Sequence, residues 1–415
     1  MPRWRWILTQ LTRRLWVRAT LIGLMGVAAA ILAAVVERFI PWGFPTDIGA
    51  DAVGSILNII ASSMLAVTTF SLSVMTAAYG AATNNVTPRA TRLLIEDRVT
   101  QTVLSTFIGS FLFGVVGIVV LNTGAYGDRG RFVLFVVTVA VIVLIVLSLL
   151  RWIDHLTRLG RVGETTERVE QAARRAIEAR LEDPYLGGHL LRDVPAEATP
   201  IEAHAIGYVQ HIDMAALAHC CEQIDGDIFV GAIPGTFVYP DTPIAWIGAH
   251  ASPDAEDSLP EAVHKAFTIG NERSFDQDPR FGLAVMSEIG SRALSAAIND
   301  PGTAIDVIGR MTRLMGLWAG SGARDDTKLA YPRVHVPALT SDDMFEDAFM
   351  LMARDGAGLI EVQLRIQKSL QALSHLGDAD YRAAALRQAR LARERAEEAM
   401  MFKADKARLR TIAHE

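Results

Sequence analysis

The chain has 415 residues, of which 51% are hydrophobic, and its mean hydropathy of +0.25 is high for a soluble protein. Its formal net charge of −6 argues against a nucleic-acid-binding protein, which would carry a basic patch. The only two cysteines, Cys220 and Cys221, are adjacent and cannot crosslink distant segments. Nothing therefore indicates an oxidising compartment, and no zinc signature of paired cysteines and histidines is present.

Four apolar runs in residues 1–152 have the length of a membrane span and predict an α-helical transmembrane domain. The runs cover about 16–36, 53–78, 101–122 and 131–152. The first run follows basic residues, as in a signal peptide. It is too long for the apolar region of a signal peptide and lacks a cleavage site followed by polar sequence, so we expect an uncleaved span.

The second run carries a polar stripe along one side. At about 100° per residue, six hydroxyl and amide residues fall within an arc of about 60°. These residues, called the polar stripe below, are Ser55, Asn58, Ser62, Thr69, Ser73 and Thr76. The stripe predicts either a pore, in which symmetric copies turn it towards water, or packing against another helix. A bound lipid or small solute is a third alternative.

The third run contains small residues at spacings of four, four and three, namely Thr106, Ser110, Gly114 and Gly117. Small residues let helix backbones approach closely in lipid, so we expect this span to pack against the second one. The fourth run is almost purely aliphatic and is expected to face lipid. No run holds an ionisable residue in its interior, which counts against a proton-coupled transporter.

The arginines of the short loops predict the orientation in the membrane. Five arginines precede residue 19, and the loop between the second and third spans contains Arg89, Arg92 and Arg98. The segment after the fourth span is also basic, whereas the other two loops hold fewer arginines. Both termini are therefore expected in the cytoplasm, together with the large C-terminal part.

The C-terminal part is expected to form a cytosolic α/β plus mostly α-helical domain. The charged segment 153–183 predicts a helical stalk that continues the fourth span, with alternating charges on a solvated face. Strand-like segments and a helix with Asp213 as N-cap predict a small α/β module over 184–265, closed by the acidic loop 252–261. The region 266–415 is expected to be mostly helical.

Helices of this last region are predicted at 281–298, from Pro301 to about residue 318, at 341–376 and at 378–412. The turn before the second of them places Asp300 at its N-cap and Pro301 at its first position.

Two polar groups in the C-terminal part are candidate sites. The first, a cytosolic polar framework, comprises Arg273, Asp276, Asp278, Arg280, Arg292, Asn299 and Asp300. We favour caps and salt bridges over a ligand pocket for this group, because the Asn-Asp-Pro turn suits capping. The second comprises His211, Asp213, His219, Cys220, Cys221 and Glu222. It would need further ligands, from His204 or His250, so we expect no metal and no cofactor.

Three stretches carry a resemblance to a known family. They are NERSFDQDPRFGLAVMSEIGSRALSAAINDPGTAIDVI from Asn271, TPRATRLLIEDRVTQTVLSTFIGSF before and within the third span, and GYVQHIDMAALAHCCEQIDGDIFVGAIPGTFVYPDTPIAWIG. With four spans before the C-terminal part, the chain resembles a bacterial family of predicted membrane proteins of unknown function (domain of unknown function 2254). The resemblance implies a multi-pass protein of the bacterial inner (plasma) membrane. It implies no reaction and no site residues.

Two functional hypotheses follow. The first is a homo-oligomeric pore or transport protein for an ion or small solute, lined by the polar stripe and assembled or gated by the cytosolic part. The second is a membrane-anchored sensor or scaffold without a permeation pathway, in which the stripe is buried between the second and third spans of one subunit. An enzyme is not expected, because no Ser-His-Asp order, Walker loop or G-x-G-x-x-G motif is present.

Overall fold

A computed structural model describes residues 3–12, 14–36, 50–124, 128–248, 259–320 and 329–414. The chain divides into two compact units. The span unit comprises Ile7–Asn84 and Thr91–Glu164. The C-terminal unit comprises Met1–Trp6, Asn85–Ala90 and Thr165–Glu415.

Most of the span unit comes from the first six helices, although the starts of the first and fourth belong to the C-terminal unit. The six helices are α1 (Arg3–Thr12), α2 (Leu15–Val36), α3 (Ala50–Asn85), α4 (Pro88–Ile95), α5 (Arg98–Asn122) and α6 (Asp128–Leu156). Helices α2, α3, α5 and α6 are long and apolar enough to cross a membrane, which confirms the four predicted runs as helices. The short helices α1 and α4 were not predicted.

Helix α5 is the most buried of these four helices, because small residues let its neighbours approach. A Cβ atom added to Gly114 would lie 3.0 Å from the carbonyl oxygen of Leu57 and 3.2 Å from Cβ of Ala61, so the predicted packing of the third span against the second is confirmed. An unpredicted contact is closer. A Cβ atom on Gly26 of α2 would lie 2.5 Å from the carbonyl oxygen of Gly109.

Helix α6 exposes a broad aliphatic face, as its sequence predicts. Val143, Leu150 and Ile153 are 54%, 61% and 59% exposed. An exposed apolar surface of this kind suits hydrocarbon.

The charged segment after α6 differs from the predicted stalk. Helix α6 ends at Leu156, and α7 (Val162–Glu182) begins after a turn. Helix α7 has a buried face in the C-terminal unit, formed by apolar residues such as Val169 and Ile177. Its buried Glu170 accepts hydrogen bonds from two arginines of a later helix. The segment with alternating charges therefore forms an amphipathic helix with one buried face. The prediction of a solvated extension of the fourth span was wrong.

Two sheets with two associated helices follow. Their elements are β1 (Gly188–Leu190), β2 (Thr199–Glu202), β3 (Gly207–Ile212), α8 (Met214–Ile224), β4 (Ile228–Val230), β5 (Phe237–Val238), β6 (Pro243–Ile247), α9 (Leu259–Ala266), β7 (Phe267–Gly270) and, later, β8 (Tyr331–Val336). Asp213 caps α8 as predicted, because its side chain accepts a hydrogen bond from the Ala216 N–H. The predicted acidic loop lies partly outside the described residues, and its end already belongs to α9.

The sheets do not end at residue 265, the predicted module boundary. One sheet has the order β1-β8-β4-β6-β2, and β8 runs parallel to both of its neighbours. The other sheet, β5-β3-β7, is antiparallel and includes β7 from beyond the boundary. Strand β8 begins over 80 residues after the end of β6, yet it occupies the second position of the larger sheet. The α/β module is therefore discontinuous in sequence.

The remaining helices pack against one another. They are α10 (Pro279–Ala293), α11 (Pro301–Trp318), α12 (Ser341–Asp355), α13 (Ile360–Leu373), α14 (Ala379–Ala399) and α15 (Lys403–His414). Asp300 caps α11 with Pro301 in the first turn, as predicted.

Three predicted helices were too long. Helix α10 stops at Ala293, and the region after it ends in Asn299, whose φ of 49° is left-handed. The predicted helix 341–376 is broken at Gly356, where the buried amide of Gln363 donates to two main-chain carbonyl oxygens. The predicted helix 378–412 is broken after Met400, whose backbone is extended.

The crossing of α2 and α5 generates a stability prediction. Gly26→Ala places a methyl group against the Gly109 carbonyl and should destabilise the span unit by about 1–3 kcal/mol. The measurement is the midpoint of unfolding in mixed micelles. Gly80→Ala in α3 is the matched control, because its Cβ would meet nothing within 4 Å. Equal midpoints for the two variants would contradict the crossing.

Candidate functional site

The polar stripe lies on the exposed face of α3. All six of its residues are exposed in the single chain. The opposite side of the helix is buried and includes Leu57, Met64 and the two hydroxyl residues Thr68 and Ser71. The scaffold hypothesis required the stripe to be buried between the second and third spans of one subunit. The stripe is exposed instead, so this requirement is not met.

Three of the five stripe hydroxyls donate to the backbone of their own helix. Ser62 Oγ lies 2.8 Å from the Asn58 carbonyl oxygen, Thr69 Oγ1 lies 2.9 Å from that of Ala66, and Thr76 Oγ1 lies 2.9 Å from that of Leu72. A hydroxyl has one proton and two lone pairs. With the proton used inside the helix, these oxygens present only acceptor lone pairs to the surroundings.

Asn58 is the stripe residue with the most hydrogen-bonding groups to satisfy. Its amide carries two N–H donors and one carbonyl acceptor, and no described residue hydrogen-bonds to this side chain. Its neighbour Ile59 is 65% exposed, and Phe70 further along the same face is 64% exposed. An unsatisfied amide in hydrocarbon costs roughly several kcal/mol. Asn58 therefore needs water, a ligand or a polar group of another molecule beside it.

A second polar group in the span unit joins the start of α5 to the end of α6. Asp97 caps α5 by accepting from the backbone N–H and the hydroxyl of Thr100, at 2.8 and 2.7 Å. His155 Nε2 lies 3.0 Å from Asp97 Oδ2 and 2.9 Å from Thr100 Oγ1. The His155 ring also stacks on Trp152, with 5.7 Å between centroids. All four side chains are buried.

This cluster was not predicted, because Asp97 and His155 both lie outside the interiors of the predicted apolar runs. The helix-capping signal of Asp97 was present, but the approach of His155 depends on how α5 and α6 pack. The cluster ties two helix ends together with hydrogen bonds that are shielded from solvent.

The cytosolic polar framework separates into two groups at opposite ends of α10, roughly 22 Å apart for 15 residues. At the N-terminal end, Asp278 caps the helix and receives two hydrogen bonds from Arg273, at 2.7 and 2.9 Å. Arg280 pairs with Asp343 and Asp347 of α12. Burial raises the pKa of Asp278, although the ion pair with Arg273 opposes the rise.

Asp276 belongs to the same end of α10. It accepts a hydrogen bond from Trp6 Nε1 at 2.9 Å and another from the Ser274 hydroxyl. At the other end of the helix, Arg292 lies in the last turn of α10, and Asp300 caps α11. Asp278 and Asp300 therefore cap helices, Asp276 and Arg280 join elements, and the framework is divided between the two ends of α10 instead of lining one pocket.

The histidine and cysteine group is dispersed. His219 is exposed and pairs with Glu222 of the same helix at 3.5 Å, whereas Cys220 and Cys221 are buried. His211 stacks on Trp6 with 5.2 Å between ring centroids. His250 lies outside the described residues. In the described ranges, no three residues of the His, Cys, Asp and Glu types are grouped so that they could hold a metal ion.

Comparison with known proteins identifies the family. The sequence profile described as "Predicted membrane protein (DUF2254)" matches residues 12–372. The chain belongs to this family. The resemblance seen in the sequence is thereby confirmed, and membership in DUF2254 extends over both units.

Three relatives are uncharacterised mycobacterial proteins. One is from Mycobacterium bovis (strain ATCC BAA-935 / AF2122/97), and two are from the H37Rv and CDC 1551 / Oshkosh strains of Mycobacterium tuberculosis. Each is 32% identical over 136 residues, which cover 32% of this chain and 26% of the relative. The chain thus matches about a quarter of the length of these relatives. No solved structure matches the chain.

The buried cysteines generate a prediction on reactivity. Burial raises the pKa of Cys221 to about 12 and also raises that of Cys220. Since the thiolate is the nucleophile, iodoacetamide should alkylate neither residue in the native protein at about pH 9, where most of an unfolded thiol is ionised. Mass spectrometry of native and urea-unfolded protein would test this. Rapid labelling of the native protein would show that the thiols are accessible.

Proposed function

We propose that this DUF2254 protein is an integral protein of the bacterial inner membrane with both termini in the cytoplasm. The four apolar helices and the family support the membrane part, and the arginines of the short loops support the orientation. The C-terminal unit then lies in the cytoplasm. Its two free cysteines suit this compartment, because the cytoplasm keeps thiols reduced.

We further propose that copies of the chain associate through α3 to form a pathway for an ion or small solute. The observation that carries this proposal is the position of the polar stripe on the exposed face of α3, with the unpartnered amide of Asn58 among its members. Closed symmetry would turn the stripes of all copies towards a common axis. Water on this axis would satisfy Asn58.

The chemistry of the stripe favours a cation over an anion. The hydroxyls of Ser62, Thr69 and Thr76 donate into their own helix, so their outward surfaces are acceptors. Acceptor oxygens replace the hydration shell of a cation, whereas an anion needs donors. The described part of the stripe contains no charged side chain, which suits a passage that binds its ion weakly.

A scaffold without a pathway remains the second candidate, supported by the same hydrogen bonds. A hydroxyl that is bonded to its own backbone can face lipid or another helix at small cost. In that case the amides of Asn58 from two copies would bond to each other and only hold the copies together.

Flux measurements separate the two candidates. Liposomes containing the purified protein should pass K⁺ faster than empty liposomes and faster than they pass Cl⁻. The double variant Asn58→Leu/Thr69→Leu should reduce K⁺ flux by about tenfold or more, which corresponds to a barrier increase of about 1.4 kcal/mol. Ala140→Leu, on the exposed face of α6, adds a leucine away from the stripe and should leave flux unchanged.

A protein-dependent flux of zero, or one insensitive to the double variant, would exclude the pathway along the stripe. Crosslinking in membranes would then show whether the copies still associate.

Cysteine accessibility provides an independent test. Cysteines introduced at Ser62, Thr69 and Ser73 should react with a membrane-impermeant thiol reagent if the stripe faces water. Val143→Cys on the aliphatic face of α6 and Thr68→Cys on the buried side of α3 should remain unlabelled. The native cysteines should contribute little background, because both are buried. Protection of all three stripe positions would favour the scaffold.

A further inference from the structure

The C-terminal unit contains a cavity of about 520 Å³. The end of α7, the end of α11 and the first turns of α12 and α14 surround it. A volume of this size suits a small organic molecule, because ligand pockets span roughly 300–1,000 Å³. The cavity lies within one unit and contains no residue of the polar stripe, so it is separate from the proposed pathway.

Arg180, in the last turn of α7, is a buried cation in the wall of this cavity. It is only 6% exposed, and its Nη2 donates to the Gln277 carbonyl oxygen at 3.1 Å. Its other guanidinium nitrogens bond to no described residue, and protein atoms do not seal them off. These nitrogens belong to a residue that lines the cavity.

The charge of Arg180 is poorly compensated. Burial lowers the pKa of Arg180 to about 10, and the nearby Asp278 offsets only part of this effect. The carboxylate of Asp278 already accepts two hydrogen bonds from Arg273. Because a buried charge without a bonded counter-ion is costly, an anion in the cavity would be stabilised.

The other charged groups of the wall limit the charge of such an anion. Arg387 is paired with Asp342, and Asp378 is engaged as the N-cap of α14. Asp380 adds another negative charge to the rim. Among the described charged residues of the wall, Arg180 is the cation without an ion pair, and the others are three aspartates and the paired Arg387. A singly charged carboxylate therefore suits the site better than a phosphate dianion. The planar guanidinium also matches a carboxylate geometrically.

The wall also has an apolar part, which indicates an apolar body for the ligand. Leu181, Tyr185, Trp318 and Leu339 lie around the same space. Trp318 is 5% exposed and thus forms a fixed part of the wall. Tyr185 has a φ of 54° and its successor a φ of 58°. Left-handed backbone in non-glycine residues is costly and is often retained next to ligands.

We propose that this cavity binds a small monocarboxylate, with the carboxylate on Arg180 and an apolar body against Trp318 and Leu339. The ligand would come from the compartment that contains the C-terminal unit. The head group and the apolar body are recognised at different walls, so both are needed for affinity.

Equilibrium dialysis of the full chain in nanodiscs tests the proposal, with empty nanodiscs subtracted. The probes are radiolabelled octanoate, 3-phenylpropionate and indole-3-acetate. At least one should bind saturably, and its neutral amide should bind at least about tenfold more weakly, as expected when a charge-assisted hydrogen bond is lost. Inorganic phosphate should not compete. Absence of saturable binding by all three acids, or equal binding of acid and amide, would overturn the proposal.

Two variants locate the binding site. Arg180→Gln should weaken binding of the acid by at least about tenfold without affecting the amide. Because Arg180 also supports Gln277, a second variant leaves that contact intact: Ala383→Phe, on an exposed lining position of α14, should block binding by filling the cavity. Ala399→Phe, exposed at the far end of α14, is its matched control. Unchanged binding in both Arg180→Gln and Ala383→Phe would place the ligand elsewhere.

Discussion

The close approach of helix backbones around α5 is the constraint on which the span unit depends. In lipid there is little hydrophobic gain from bringing two helices together, so packing at small residues decides which faces meet. Gly26 meets Gly109, and Gly114 meets the backbone of α3 at Leu57. Once Leu57 faces α5, the opposite side of α3 has to face outwards. The polar stripe occupies that side, so its exposure follows from the packing of apolar and small residues elsewhere on the helix.

The C-terminal unit depends on buried charges that are held by several partners at once. Glu170 of α7 receives hydrogen bonds from Arg310 and Arg313, at 2.7 and 3.0 Å, which attach α7 to α11. Breaking such a buried pair by removing one partner costs about 3–5 kcal/mol. Asp278 is likewise satisfied by Arg273 and by the start of α10. Unlike these two carboxylates, Arg180 has no ion pair among the described residues, and it lines the cavity.

The sequence correctly predicted those features that depend on residues close together in the chain. The four apolar runs, the caps at Asp213 and Asp300 and the small-residue contact at Gly114 were all confirmed. Long-range pairing could not be read in the same way. Strand β8 lies between β1 and β4 because of hydrogen bonds to residues far away in the chain, so the module boundary at 265 was misplaced. Helix α7 was misread because small residues such as Ala173 and a paired Glu170 can be buried as readily as aliphatic ones.

The sequence by itself determined that the chain has four spans of membrane length, that one of them carries an uncharged polar stripe, and that the chain belongs with DUF2254. Hydropathy, periodicity and motif identity are properties of contiguous residues, and for that reason they are readable without coordinates. Only the tertiary structure decided that the stripe faces out of the single chain, that Asp97 meets His155, and that Arg180 borders a cavity. Each of these depends on which surfaces are buried by packing. Packing is determined by contacts between residues that are distant in sequence.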